Sequence, residues 1–203
     1  MIKLYLASAS PRRKEILETM KLDFTVATAE ADESLPSGTS PENAGEILAA
    51  RKALALKERL IAEGKFDADT AIIAADTLVY CDGERLGKPH DAEDAKRMLM
   101  TLCGKVHSVC TGTCVISGAR SVSTSEVSNV YMRHFSKEEA ASYVATGEPL
   151  DKAGAYGIQG IGSVLIDRID GDFFSVMGMS PKTVYKLMNS LGIPYFQLIN
   201  QEK

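Results

Sequence analysis

Residues 8–13 read Ser-Ala-Ser-Pro-Arg-Arg, between an apolar run, Ile2 to Ala7, and a helix-like stretch, Lys14 to Met20. Two hydroxyls and two guanidiniums at a strand-to-helix turn suit an oligophosphate. A helix N-terminus presents backbone N–H groups and a positive dipole end, Ser8 and Ser10 can donate, and Arg12 and Arg13 are permanently charged forks. Pro11 fits the first helical turn, where a missing N–H costs nothing. The same residues also read as a capped surface helix with two solvated arginines.

Four further segments look out of place in a purely structural chain. An acidic loop ends in Glu33, Asp76-Thr77 follows the apolar run Ala71-Ile-Ile-Ala-Ala75, and Gly87-Lys88-Pro89 and Asp151-Lys-Ala-Gly-Ala-Tyr-Gly-Ile-Gln-Gly160 complete the set. A carboxylate interrupting a central strand is unusual, because a buried carboxylate without a partner costs several kcal/mol. The glycine-rich run fits neither G-x-G-x-x-G nor G-x-x-x-x-G-K-[ST], and alone it reads as a flexible turn. Taken together, Arg12, Arg13 and Lys88 suit phosphates while Asp76 and Glu33 suit a hard cation such as Mg²⁺. Mg²⁺ binds through one or two carboxylates plus phosphate oxygens, and a nearby carboxylate can take a proton from an attacking water. Glu30, Asp32 and Glu33 also read as a solvated acidic loop, and spacing does not decide whether Arg51 and Lys52 reach the same place.

The elements that must position these groups alternate between strand and helix. Strands are expected at 2–7, 24–27, 70–80, 106–116, 122–133, 163–169 and 173–177. Helices are expected at 11–20, 41–62, 91–102, 137–145 and a final one at 181–191. Ser40-Pro41 is a helix start, Asp91 and Ser136 are N-caps, Cys81-Asp-Gly-Glu84 is a hairpin turn, and Gly147 and Gly192 end helices. Long adjacent strands in mid-chain favour a mixed sheet over a purely parallel one.

The 203 residues are 45% hydrophobic and 25% charged, an ordinary globular composition, and the net charge of -4 argues against a chain that coats nucleic acid. No apolar stretch approaches the roughly 20 residues that span a bilayer, and the chain opens on a strand rather than a charged leader, so a cytoplasmic protein without a membrane partner is expected. Cys81, Cys103, Cys110 and Cys114 form no C-x-x-C pair and read as free thiols. His90, His107 and His134 lack zinc-site spacing.

The ordered motifs Leu6-Ala-Ser-Ala-Ser-Pro-Arg-Arg13 with Leu17, Glu33, Lys52-Ala53, Ala75-Asp-Thr77, Gly87-Lys-Pro89, Thr111-Gly112 and 151–160 resemble those of the Maf-like nucleoside triphosphate pyrophosphatases, from Leu4 to about Leu191. The resemblance implies a single domain over 1–203, an elongated mixed α/β fold like that of the inosine triphosphate pyrophosphatases, with two lobes and a central cleft. It implies cleavage of a nucleoside triphosphate between the α and β phosphates with a divalent metal, Mg²⁺, Mn²⁺ or Co²⁺. By motif position Asp76 would accept the proton of the attacking water and, with Glu33, lie at the metal. Ser8, Arg13, Lys52 and Lys88 would engage phosphates. Arg12, Thr77 and Gln159 together resemble the subgroup acting on dTTP and UTP, and a glutamine amide, which both donates and accepts, suits the uracil or thymine edge. A homodimer is a further family expectation. Alternatives are a pyrophosphatase for another modified nucleotide such as 7-methyl-GTP, or a nucleotide-binding regulator of cell division and septum formation.

Overall fold

A computed structural model describes residues 2–199. Seven strands form one mixed sheet: β1 (Lys3–Leu6), β2 (Thr25–Val26), β3 (Thr70–Cys81), β4 (Glu84–Leu86), β5 (Val106–Ser117), β6 (Arg120–Met132) and β7 (Ile166–Asp170). Their order is β2-β1-β3-β5-β6-β7, with β4 paired to β3 outside this path. The α-helices are α1 (Pro11–Thr19), α2 (Pro41–Ala62), α3 (Ala92–Leu102), α4 (Lys137–Ala145), α5 (Phe173–Met177), α6 (Pro181–Ser190) and α7 (Tyr195–Leu198). Among the described residues no helix is long and apolar enough to cross a membrane.

The chain divides into two compact units. The first takes residues up to Asp76, Thr111–Glu126 and the chain from Gly178 on. In it β1 pairs in parallel with β2 on one side and β3 on the other, with Leu6 opposite Val26 and Ile73. The inward face of α2 (Ala49, Ala53, Leu56 and Leu60) packs with Ile72, Ala74, Cys114 and Ile116 into one core. The second unit takes Thr77–Cys110 and Val127–Met177. Its core gathers Leu99 and Leu102 from α3, Ala140 and Tyr143 from α4, Val130 from β6, and Tyr156 and Leu165.

Local chemistry accounts for the boundaries. The Ser40 side chain accepts from Asn43 N–H with Pro41 at the first helical position, Asp91 caps α3, and Ser136 with Glu139 forms a capping box on α4. Asp82 and Gly83 both take positive φ between β3 and β4, as a two-residue hairpin turn requires. The four cysteines are free, and three of them are buried.

Three expectations need correction. Residues 173–177 are a helix rather than a strand, because the Asp172 carboxylate accepts from Ser175 N–H and closes a helical turn over a β-prone sequence. The strand expected from Ser163 starts at Ile166, since residues 160–165 coil into 3₁₀ turns. The helix at 181–190 is not the last, for α7 follows it.

Candidate functional site

The first unit builds its site where β1 ends. One neighbour of β1 is reached through α1 and the other through α2, so the turn after β1 lies at a reversal of strand order, the usual ligand crevice of open α/β sheets. Ala7 N–H still donates to Ile73 O (2.8 Å) before the chain leaves the sheet. Ser8 is buried, and its hydroxyl oxygen accepts from Ser10 N–H (3.2 Å) and from Arg13 Nη1 (3.1 Å). The Ser10 side chain makes no cap bond to α1. Arg13 is held a second time, its Nε donating to Gly178 O at 3.0 Å. Burial lowers the pKa of its guanidinium; the charge of Asp76 opposes that shift and the charge of Arg12 adds to it. Arg12 lies half-buried beside it on α1.

Asp76 sits inside β3 rather than interrupting it, and is 8% exposed. Because β1 stops opposite Ile73, Asp76 lies past the last β1–β3 pair, where the neighbouring chain has turned away. The carboxylate has a partner: Lys52 Nζ on α2 donates to Asp76 Oδ1. The same ammonium lies 2.9 Å from Glu33 Oε1. One cation thus joins a buried carboxylate from a strand to an exposed one from the acidic loop, which removes the penalty that Asp76 alone would carry.

Around these groups is a cavity of about 460 Å³, lined by Ala7, Ser8, Ala9 and Arg13, by Thr28–Ala31, and by Glu33 and Lys52. Its volume is that of a small-molecule site. Ser8, Arg13, Glu33 and Lys52, which spacing alone could not bring together, therefore share one cavity, and Asp76 joins them through Lys52. The carbonyl of Gly178 that holds Arg13 and the wall residues Thr28 and Ala29 carry no signal in the sequence. Arg51 turns toward the acidic loop, donating to the carbonyls of Asp32 (3.1 Å) and Ser34.

Among the described residues no group of three or more His, Cys, Asp and Glu side chains is gathered as a metal cage. The donor set present, two carboxylates that share the Lys52 ammonium, is of the oxygen type that suits a hard divalent cation. It does not fit a soft-ligand zinc site.

The remaining sequence candidates belong to the second unit, and Thr77 follows Asp76 directly in β3. Lys88 is exposed, and Gln159 half-buried. Their segments meet, since Gly154 N–H donates to Gly87 O at 3.0 Å. The glycine-rich run is anchored rather than a flexible turn. Glu148 accepts from Ile161 and Gly162 N–H, both at 2.9 Å, and from the Tyr143 hydroxyl at 2.8 Å. Tyr143 Oη in turn accepts from Gly157 N–H at 3.0 Å. Burial pushes the Glu148 carboxyl up, but these N–H and O–H donors outweigh it and hold the group below its ordinary value. A Cβ on Gly160 would meet the Glu148 carboxylate at 2.7 Å, so glycine is needed for this lacing as well as for the positive φ there. Buried His107 adds another tie, its Nε2 lying 2.7 Å from the Tyr156 hydroxyl.

Comparison with known proteins agrees with the motif order. A family model described as "Maf-like protein" matches residues 3–191. A dTTP/UTP pyrophosphatase of Aquifex aeolicus is 41% identical over 95% of this chain and 97% of its own. Proteins of the same name from Syntrophomonas wolfei and Moorella thermoacetica are each 44% identical, over 92% and 95% of this chain and 96% and 97% of theirs. The solved structure of the Staphylococcus aureus Ham1 protein is similar over 96% of this chain and 98% of its own, at 13% identity with a TM-score of 0.49, a likeness that carries no further weight. With a match spanning nearly its whole length and relatives above 40% identity, the chain belongs to the Maf-like protein family.

Proposed function

We infer that this protein is a nucleoside triphosphate pyrophosphatase that hydrolyses dTTP and UTP to the monophosphate and pyrophosphate, the activity for which its relatives are named. One observation in the structure carries the inference: the buried carboxylate of Asp76 is bonded to Lys52, which lines a cavity together with the donors Ser8 and Arg13. Two cations and a hydroxyl around a cavity, with a carboxylate bonded to one of the cations, are what hydrolysis of a polyanion requires.

Asp76 takes the proton of the attacking water. Its position in a strand fixes the carboxylate, and Lys52 orients it until substrate arrives. Arg13 and Ser8 bind phosphate oxygens, with Arg13 pre-set by its bond to Gly178 O so that little side-chain freedom is lost on binding. Lys52 joins them by exchanging carboxylate partners for phosphate. Glu33 and Asp76 would hold a divalent cation, Mg²⁺, Mn²⁺ or Co²⁺, which when bound neutralises charge growing on the phosphoryl oxygens. Lys88 is assigned to phosphate, and Arg12, Thr77 and Gln159 to the base, on their motif positions. A soluble nucleotide substrate goes with a cytoplasmic location and no nucleic-acid or membrane partner, in keeping with the net charge of -4.

The test is pyrophosphate release by wild type and Asp76→Asn across dTTP, UTP, CTP and 7-methyl-GTP, with and without Mg²⁺. Wild type should prefer dTTP and UTP and need the metal. Asp76→Asn should keep nucleotide affinity and lose on the order of 10²- to 10⁴-fold in turnover, the usual contribution of a general base. Undiminished turnover by Asp76→Asn would remove this residue from the mechanism, and a tenfold preference for CTP or 7-methyl-GTP would overturn the base assignment.

A further inference from the structure

Glu33 is an exposed member of the site, its side chain 60% accessible, and it sits in a stretch, residues 27–36, without helix or strand. Its place is nonetheless fixed by its neighbours. Arg51 Nη1 donates to the carbonyl of Asp32 at 3.1 Å and to that of Ser34, the two residues flanking Glu33, and lies 3.3 Å from Asp32 Oδ2. Asp32 folds the same three residues into a turn, its carboxylate accepting from Ser34 N–H and from the Ser34 hydroxyl, both at 2.9 Å. The next residue on α2 is Lys52, whose ammonium meets the Glu33 carboxylate. Adjacent cations on a well-packed helix therefore grip the backbone on either side of Glu33 and its side chain respectively.

We propose that Arg51 is the positioning residue for Glu33: it locks the Asp32–Ser34 turn onto α2 so that Glu33 points at Lys52 and Asp76. This rests on the assignment of Glu33 to the cation made above. Arg51 is not among the residues that line the cavity; its guanidinium is engaged by the loop. All three contacts come from the one nitrogen Nη1, whose two protons are shared between the two carbonyls and the Asp32 carboxylate. Groups that orient a ligating carboxylate commonly control metal affinity by 10- to 100-fold without touching the metal.

The experiment combines two measurements on wild type, Arg51→Ala, Arg51→Lys, Glu33→Gln and the double variant Arg51→Ala/Glu33→Gln. Mn²⁺ binding is followed by electron paramagnetic resonance in the presence of α,β-methylene-UTP, which cannot be cleaved between those phosphates. Amide hydrogen exchange is read over residues 30–36 and, as the control for folding, over α2. Arg51→Ala should speed exchange over 30–36 with α2 unchanged, and weaken Mn²⁺ by about 10- to 100-fold. Arg51→Lys should restore a large part of that affinity, and in the Glu33→Gln background Arg51→Ala should add no further loss. Unchanged exchange over 30–36, or an equal Mn²⁺ loss in both backgrounds, would overturn the positioning role. Wild-type Mn²⁺ affinity in Glu33→Gln would instead overturn the assignment of Glu33, whatever Arg51 does to the loop.

Discussion

Gly112 offers the sharpest test of how the fold holds Lys52 against Asp76. It lies on β5 directly under α2, and a Cβ built there would fall 2.5 Å from Glu46 N and closer still to the carbonyl of Gly45. Both obstacles are helix backbone, which no rotamer change can move. An ordinary contact begins near 3.4 Å, so Gly112→Ala must push α2 off the sheet by at least about 1 Å. Gly45 and Lys52 are seven residues apart, two turns along the same helix face, so the displacement reaches the Lys52 ammonium. Overpacking of this kind costs about 1–3 kcal/mol, which for a chain of this size lowers Tm by roughly 2–12 °C. Misplacing a catalytic group by about 1 Å can cost on the order of 10²-fold in rate. Pyrophosphate release from dTTP and calorimetric unfolding would be measured side by side, with Gly118→Ala as control. Gly118, unlike Gly112, has positive φ, +56°, and open space around it, so alanine there should cost stability alone. If Gly112→Ala lost stability yet kept wild-type kcat/KM, the close approach of α2 and β5 would have no bearing on the site. If neither changed, the approach itself would be misjudged.

Three further outcomes are expected. Burial pushes His107 down to about 4, and its Nδ1 has no hydrogen-bond partner among the described residues, so the fold holds it neutral. A depressed histidine favours folding fully above the unfolded value near 6.5, and this stability is lost as pH falls from there to about 4, by roughly 3 kcal/mol. Urea unfolding of wild type should therefore weaken between pH 6.5 and 4.5 more steeply than that of His107→Gln, and parallel slopes would contradict it. Arg13→Lys should fail to replace Arg13, because a point charge cannot serve Ser8 Oγ and Gly178 O and still face a phosphate; lost charge-assisted bonds of about 1.5–3 kcal/mol mean 10- to 100-fold lower kcat/KM for every triphosphate. Arg12→Ala should mainly reorder dTTP, UTP and CTP, and equal losses in the two variants would erase that division.

The sequence-based limits of α2 agree with the structure because its signals are local: Ser40 and Pro41 at the start, and an apolar face recurring at helical spacing. Residues 173–177 misled because Phe and Val favour strands, and one side-chain bond from Asp172 decides otherwise. Asp76 could be flagged as awkward, but its continuity within β3 depends on β1 ending early, a tertiary fact. Motif order singled out Ser8, Arg13, Glu33, Lys52 and Asp76, whereas no spacing rule shows that a lysine at 52 will bridge carboxylates at 33 and 76. Glu148 and Gly178 could not be found at all, since one acts by accepting N–H bonds along a loop and the other through a backbone carbonyl.

The two bonds that Ser8 receives have a consequence for what the β1 turn can recognise. A hydroxyl has two lone pairs and one proton, and here Ser10 N–H and Arg13 Nη1 occupy both lone pairs. Only the proton remains to be offered to a ligand. A side chain that in isolation treats donors and acceptors alike has become one-sided, and with Arg13 beside it the turn welcomes acceptors only. A fully ionised phosphate oxygen satisfies it; an ammonium or an amide N–H finds no lone pair there. The fold has thus turned an indifferent serine into a one-way donor, open to acceptors alone.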